Sequence, residues 1–472
     1  MTARRDENAV TWDESAARRG SVKYPIRLDA VPTVIGTDEH AEPWEGHYFV
    51  AAYPPFSAWK REQAPNVLES LRTAPRPAGG VPLGVYVHVP FCAKRCEYCY
   101  YLSSSDASAK RQTAYVEAVL EEARLYADFA LLAERKPDFV YFGGGTPSVL
   151  TEPLMERLIH GLQASFPWRQ AREVTFECAP KSTTASKVQL LRDLGITRIS
   201  LGVQSFDDDV LHASGRVHMR DDAERAFATI RAAGFDAVNV DLMVGLPGET
   251  DATVASSVAR AIELGCDSVT VYQFEIPYHT PLHRRVREAA LHQAIPSWEV
   301  KRARLRSAFV RLEGAGYIVR SAYTAVRKAT HRAFVYQDEQ YRGADLLGLG
   351  ASAFSFLAGV HFQNLAAPDA YLASVGAGQL PIDRAYALNA DEKLVREFVL
   401  QLKLGKANAD YFRAKFGREI TERFREPLQR FTERGWLSIH PRGVTVTREG
   451  LLRIDRLLPA FYLPEHRNIP YC

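Results

Sequence analysis

The sequence predicts an α/β protein built on a partial (β/α)6 barrel of the TIM type, with an N-terminal arm and a small C-terminal winged-helix-like domain. Three observations predict it. Short β-rich runs alternate with longer segments of helical period between residues 84 and 274, residues able to do chemistry gather at the C-terminal ends of those runs, and the pattern later changes to helices and one hairpin. The 472 residues are 46% hydrophobic and 24% charged, values of an ordinary folded chain with room for more than one domain. Fifty-nine basic residues against 56 acidic give a net charge of +3, too even a balance for a nucleic-acid face. No apolar stretch is long enough to span a bilayer and the N-terminus has no apolar signal core. A cytoplasmic monomer with neither nucleic-acid nor membrane partners is therefore expected.

Residues 1–80 read as an arm ending in the linker-like APRPAGGVP. Its run Tyr53-Pro54-Pro55-Phe56-Ser57-Ala58-Trp59 is either a loop anchored by buried rings or a lining of a substrate pocket. The barrel is assigned to 81–285, with strands at 84–90, 138–144, 173–178, 198–204, 236–245 and 268–274. Between the first two, Val116, Val119, Leu120, Ala123 and Ala127 recur at helical spacing, and similar patterns cover 152–165, 183–194, 219–233 and 250–264. Residues 286–384 form an extension of charged helices followed by the Gly-rich run Tyr341 to Ala351, where the barrel is expected to have ended. Helices and the hairpin WLSIHPRGVTVT place the winged-helix-like domain at 385–472.

Active residues of such barrels lie at the C-terminal ends of the strands. Here the first strand runs into Cys92, Cys96 and Cys99, and the second into Gly143-Gly144-Gly145-Thr146-Pro147. The third contains Glu177, the fourth ends at Gln204-Ser205, and the fifth carries Asp241 before Gly245-Leu246-Pro247-Gly248. Three thiolates spaced CxxxCxxC on one loop can reach three corners of a cubane iron-sulfur cluster and leave one iron open. Zinc is the competing metal, but its structural sites take four protein ligands and no fourth Cys or His follows nearby. Cys178 and Cys266 read as core, and Cys472 lacks the spacing to join the three.

The motif Cys92-xxx-Cys96-x-Tyr98-Cys99 resembles the signature of radical S-adenosylmethionine (SAM) enzymes. With YVHVPFC, FGGGTPS, ECAP, LGVQSFDDDVL, GRVH, DLMVGLPGET and LLGLGASAFSF, it is similar to the coproporphyrinogen oxidase-like (HemN-like) subgroup from about residue 83 to about 460. The resemblance implies a 4Fe-4S cluster on Cys92, Cys96 and Cys99 whose open iron binds SAM. Reductive cleavage of that SAM yields a hydrogen-abstracting 5′-deoxyadenosyl radical. It further implies that Tyr86, the backbone of Tyr98, Gly144 and Glu177 contact this SAM, and that Gly145, Thr146, Gln204, Arg216 and Asp241 hold a second one. Glu275, beside the second position, and Tyr98 stand as catalytic candidates.

Two departures shape the functional expectation. Coproporphyrinogen oxidases follow the third cysteine with Gly-Cys, where this chain has Tyr100-Tyr101-Leu102-Ser103. Heme chaperones of the subgroup carry HNxxYW where this chain has Tyr336-Gln337-Asp338-Glu339-Gln340-Tyr341-Arg342. With both signatures incomplete, the expectation is a class C radical SAM methyltransferase or cyclopropanase of natural-product biosynthesis. It would use two SAM molecules on a small-molecule substrate with an unsaturated sp2 carbon, a reductant such as flavodoxin or ferredoxin, and a partner methyltransferase where a ring must close. A porphyrinogen decarboxylase, a haem-degrading methylase and a non-catalytic haem carrier remain the alternatives.

Overall fold

A computed structural model describes residues 49–77, 80–278, 280–288, 295–330, 334–467 and 469. Six parallel strands fall where the sequence places them: β1 (Leu83–Val89), β2 (Phe139–Gly144), β3 (Glu173–Cys178), β4 (Arg198–Gln204), β5 (Ala237–Val244) and β6 (Ser268–Gln273). They continue into β7 (Tyr317–Val319), β8 (Thr324–Arg327), β9 (Asp345–Leu349), β10 (Phe354–Leu357), β11 (Val360–Asn364) and β12 (Ile382–Ala387). One twelve-stranded sheet results, in the order β12-β11-β10-β9-β1-β2-β3-β4-β5-β6-β8-β7.

The Gly-rich run does not lie beyond the end of this sheet. Its residues Asp345–Leu349 are β9, a parallel neighbour of β1 with Leu83 opposite Asp345 and Val87 opposite Leu349. Small residues are needed there because the next strand crowds in. A Cβ on Gly348 would stand 2.3 Å from the Phe354 carbonyl oxygen.

Strand alternation divides the sheet into two unlike faces. Val85, Val87, Val140, Phe142, Val174, Phe176, Leu201 and Val240 are buried in the main hydrophobic core. Facing them are the amphipathic helices Ala109–Ala127, Glu152–Ser165, Ala185–Asp193, Arg220–Ala232 and Asp251–Glu263, which cover that face as βα crossovers must. Residues of the other parity lie on the opposite face, with Tyr86 opposite Tyr141, Tyr141 opposite Thr175, Glu177 opposite Ser200, Ser200 opposite Asn239 and Asp241 opposite Thr270. That face is polar and internally hydrogen-bonded: Asn239 accepts from Ser268 at 2.7 Å and from Thr270 at 3.1 Å, and donates to Ser200 at 3.0 Å.

The aromatic run of the arm is an anchor and not a pocket lining. Trp59 stacks on His361 of β11, with ring centroids 4.7 Å apart, and Phe56 packs on Phe354 at 4.5 Å. Lys60 and Ala385 of β12 exchange backbone hydrogen bonds at 3.1 Å. At the other end, helix Ala390–Leu402 leads to β13 (Lys406–Asn408), β14 (Leu437–His440) and β15 (Gly443–Val446), a small antiparallel sheet ordered β13-β15-β14. Helices Ala409–Phe416 and Arg425–Glu433 complete this winged arrangement around Phe398, Phe412 and Phe424. No described helix is long and apolar enough to cross a membrane. Cys178 and Cys266 are buried, as expected of core thiols, while Cys472 lies outside the described residues.

Candidate active site

The chain leaves β1 at Val89 into the loop that carries the three cysteines. Backbone bonds frame this loop: Cys92 N–H donates to Ser104 O at 2.9 Å and Ser104 N–H to Pro90 O at 2.6 Å. The Gly-Gly-Gly-Thr turn after β2 is tied to it, with Gly145 N–H to Val89 O at 2.9 Å and Thr146 N–H to Phe91 O at 2.8 Å. Thr146 Oγ1 thereby comes within 3.5 Å of Cys92 Sγ. Arg216 Nη1 donates to Cys96 Sγ at 3.3 Å while its Nη2 holds Gly202 O at 2.8 Å. Among the described residues no three His, Cys, Asp or Glu side chains already stand in a metal-holding arrangement. The loop nevertheless supplies the right donors. Its three half-buried thiols are free, and Arg95, like Arg216, lies on the loop's own groups, donating to Cys99 O at 3.1 Å. Burial raises the Cys92 thiol and pushes Cys99 up to about 12, so these thiols stay protonated unless a cation shares the site. A soft, all-sulfur donor set with guanidinium neighbours suits an anionic iron-sulfur cluster better than a hard cation.

A second group gathers around Glu177 at the end of β3. Tyr141 donates to its Oε1 at 2.6 Å. Burial pushes Glu177 up to about 7, the Tyr141 bond works against this, and nearby Asp241 adds to it. Glycine makes the space: a Cβ on Gly143 would stand 3.0 Å from the Glu177 carboxyl, and one on Gly144, whose φ is +112°, 2.6 Å from the His88 ring. His88 is lowered to about 4 by burial, so its neutral ring bridges Tyr86 (3.2 Å) and Leu102 O (3.0 Å). Asp241 accepts from Ser200 at 2.9 Å and Asn239 at 2.8 Å, and burial pushes it up to about 6. Gln204 takes φ +70° at an irregularity between β4 and β5.

The fold thus joins Cys92, Cys96, Thr146 and Arg216 in one cluster, and Tyr86, Gly144 and Glu177 in another, with Asp241 acting electrostatically on Glu177 and Arg216 on Asp241. Tyr98 meets Phe274 edge to face at 5.3 Å and lies beside Arg216. Glu275 acts instead on Tyr100, Tyr101, Tyr323 and Lys403. Sequence reasoning missed Tyr141, Tyr272 and Tyr323. The signal for Tyr141 was its place on the second strand with the same parity as Glu177 on the next strand, a relation visible only after the strands are registered.

Comparison with known proteins bears on these clusters. The radical SAM superfamily profile matches residues 86–261 and the HemN C-terminal domain profile residues 388–453. The Heme chaperone HemW of Mycobacterium tuberculosis is 33% identical over 350 residues, 72% of this chain and 86% of that protein. The chain belongs to the HemN-like family of radical SAM proteins. With that membership come a 4Fe-4S cluster and SAM as cofactors. The oxygen-independent coproporphyrinogen III oxidase of Pseudomonas aeruginosa is 27% identical over 476 residues, 97% of each chain. The fold of this HemN-like chain also matches the solved structure of coproporphyrinogen III oxidase (HemN) from Escherichia coli. That match has a TM-score of 0.76 at 24% identity and covers 88% of this chain and 96% of that one.

These relatives overturn the expected methyltransferase or cyclopropanase activity, and with it the methylene transfer to an sp2 carbon and the partner methyltransferase. That expectation rested on two short stretches, Tyr100–Ser103, which departs from the oxidases, and Tyr336–Arg342, which departs from the chaperones. Likeness along almost the whole chain outweighs two variable segments.

Proposed function

We propose that this chain is a radical SAM enzyme that takes a hydrogen atom from a propionate side chain of a tetrapyrrole, as an oxygen-independent coproporphyrinogen III oxidase-like decarboxylase. The observation that carries the reading is the match to the Pseudomonas aeruginosa oxidase over 97% of both chains, arm included. Cys92, Cys96 and Cys99 would hold the cluster, and Glu177, Tyr86 and Gly144 its SAM. Gly145, Thr146, Gln204, Arg216 and Asp241 would take a second SAM, with Arg216 turning from Gly202 O to a carboxylate. When bound, the cluster and SAM supply a carbon radical able to take hydrogen from an unactivated C–H bond.

The chain's own residues do the rest. Glu177, ionised with the help of the Tyr141 hydroxyl, pairs with the SAM ammonium. Tyrosine rings around the strand ends keep water from the reacting carbon. Loss of one hydrogen atom, CO2 and one electron turns the propionate into a vinyl group, the electron passing to an acceptor of the ferredoxin or flavodoxin class. Cytoplasmic reductants of that class would also prime the cluster.

The test is anaerobic incubation of reconstituted protein with SAM, reductant and coproporphyrinogen III. A vinyl product formed with 5′-deoxyadenosine is expected, and unchanged porphyrinogen beside active SAM cleavage overturns the reading. Likeness to the Mycobacterium tuberculosis chaperone favours a second reading, a haem carrier. It would show a Soret band on haem binding and no substrate-dependent 5′-deoxyadenosine.

A further inference from the structure

The polar face of the sheet differs from the packed interior of a closed barrel, which branched apolar side chains fill in layers. One wall of it belongs to neither the thiol cluster nor the Glu177 group. Tyr100 and Tyr101 leave the cysteine loop as a stacked pair, ring centroids 4.5 Å apart at 28°, with the Tyr100 hydroxyl donating to that of Tyr101 at 3.2 Å. Two further pairs stand on other elements: Tyr336 against Tyr141 at 4.4 Å, and Tyr272 stacked on Tyr323 at 5.9 Å.

Tyr101 is 49% exposed and Tyr272 36%. Both nevertheless have aromatic and acidic neighbours on other elements. Tyr101 acts on Tyr86 of β1, Tyr272 of β6, and Tyr336 and Tyr341 of helix Val335–Tyr341, and Glu177 of β3 acts on it in turn. A ring half free of protein contact, yet within reach of side chains from so many elements, faces an internal chamber. Apolar ring surface left open beside these side chains is surface that the pyrrole rings of a ligand can cover. The charges there favour ring faces over acid groups. Glu177, Asp241 and Glu275 supply carboxylates around the same tyrosines, while the nearby cations are engaged: Arg216 by Cys96 and Gly202, Arg198 by Ser268, and Lys403 by Val50 and Asp455.

We infer that Tyr101, backed by Tyr100, is the substrate-facing wall of this site. It grips a tetrapyrrole by the face of its rings, with the side-chain carboxylates other than the reacting one directed out of the chamber. The inference rests on the tetrapyrrole reading above and adds which part of the substrate the protein reads.

Fluorescence titration of reconstituted protein with coproporphyrin III and with mesoporphyrin IX, which has half as many carboxylates, tests it. Both porphyrins are expected to bind within about threefold of each other, and Tyr101→Ala to weaken both about tenfold. Tyr101→Phe, which keeps the ring, is expected to restore binding. Iron content and circular dichroism of each variant check that it has folded. Wild-type affinity in Tyr101→Ala, absence of porphyrin binding, or mesoporphyrin bound tenfold or more weakly each overturns the inference. The two readings fail separately. Porphyrin binding through Tyr101 without conversion of coproporphyrinogen III sinks the reaction alone, whereas conversion with an unchanged KM in Tyr101→Ala sinks the wall alone.

Discussion

Burial alone would keep the Glu177 carboxyl protonated near neutrality, and the Tyr141 hydroxyl at 2.6 Å is the larger of two contacts that oppose it, the Gly144 backbone being the other. If Glu177 pairs with the SAM ammonium, the ionised form is the one that binds. SAM affinity is then expected to rise as pH rises through about 7 and to level off above it. Tyr141→Phe removes the donor, so the carboxyl holds its proton to higher pH. The rise is expected to move upward by about one pH unit, read from SAM affinity by equilibrium dialysis across pH. The cysteines give the second prediction at this scale. Replacing Cys92, Cys96 and Cys99 together by Ala is expected to abolish iron uptake, while Cys178→Ala and Cys266→Ala retain it. Iron analysis after anaerobic reconstitution decides, and a full cluster in the triple variant would refute the assignment. These thiols and Glu177 were legible in the sequence because each sits at a strand end. Tyr141 was not, because its importance comes from a neighbouring strand.

Among the elements, helix Ala109–Ala127 does more than cover the sheet. Its Glu122 is fully buried and accepts from Gly350 N–H at 2.8 Å, Asn364 Nδ2 at 2.6 Å and Tyr371 OH at 2.6 Å. Tyr115 on the same helix donates to His88 O and accepts from Ala351 N–H, both at 2.8 Å. One helix therefore pins the end of β9 beside the end of β1. Glu122→Ala would leave three buried donors unpaired and is expected to cost about 3 kcal/mol or more by urea denaturation. Burial pushes Glu122 from 4.5 up to about 7. Between those values the unfolded chain binds fewer protons than the folded one, so stability is expected to fall as pH rises through this window, and to fall less in Glu122→Gln. The third and fourth strands match their sequence-read bounds, since apolar runs with clear turns on both sides mark themselves. The Gly-rich strand escaped because its Gly348 is required by the neighbour Phe354, and its partner β1 lies far back in the chain.

At the scale of the whole molecule, arm, barrel and C-terminal helices meet on one side chain. Lys403 is fully buried, donates to Val50 O at 2.5 Å and Asp455 at 2.9 Å, and lies 3.9 Å above the Phe49 ring and 4.9 Å above that of Tyr323. Asp455 in turn accepts from Val50 N–H at 2.8 Å and from the Tyr323 hydroxyl. Lys403→Met leaves that carboxylate without its cation and is expected to cost about 3–5 kcal/mol. Lys403→Met with Asp455→Asn should cost less than the sum of the two single changes, a coupling that a double-mutant cycle measures. Nothing in the sequence marks Lys403 apart from other lysines of a charged helix end. Its burial follows from three distant segments converging. The place of β9 beside β1 bears on how the protein is made. During synthesis β1 emerges early and pairs with β2, but its other edge stays uncovered until residue 349 has left the ribosome. Contacts that distant along the chain form late. The strand from which the cysteine loop leaves is therefore held along both of its edges only once more than two-thirds of the chain has been made.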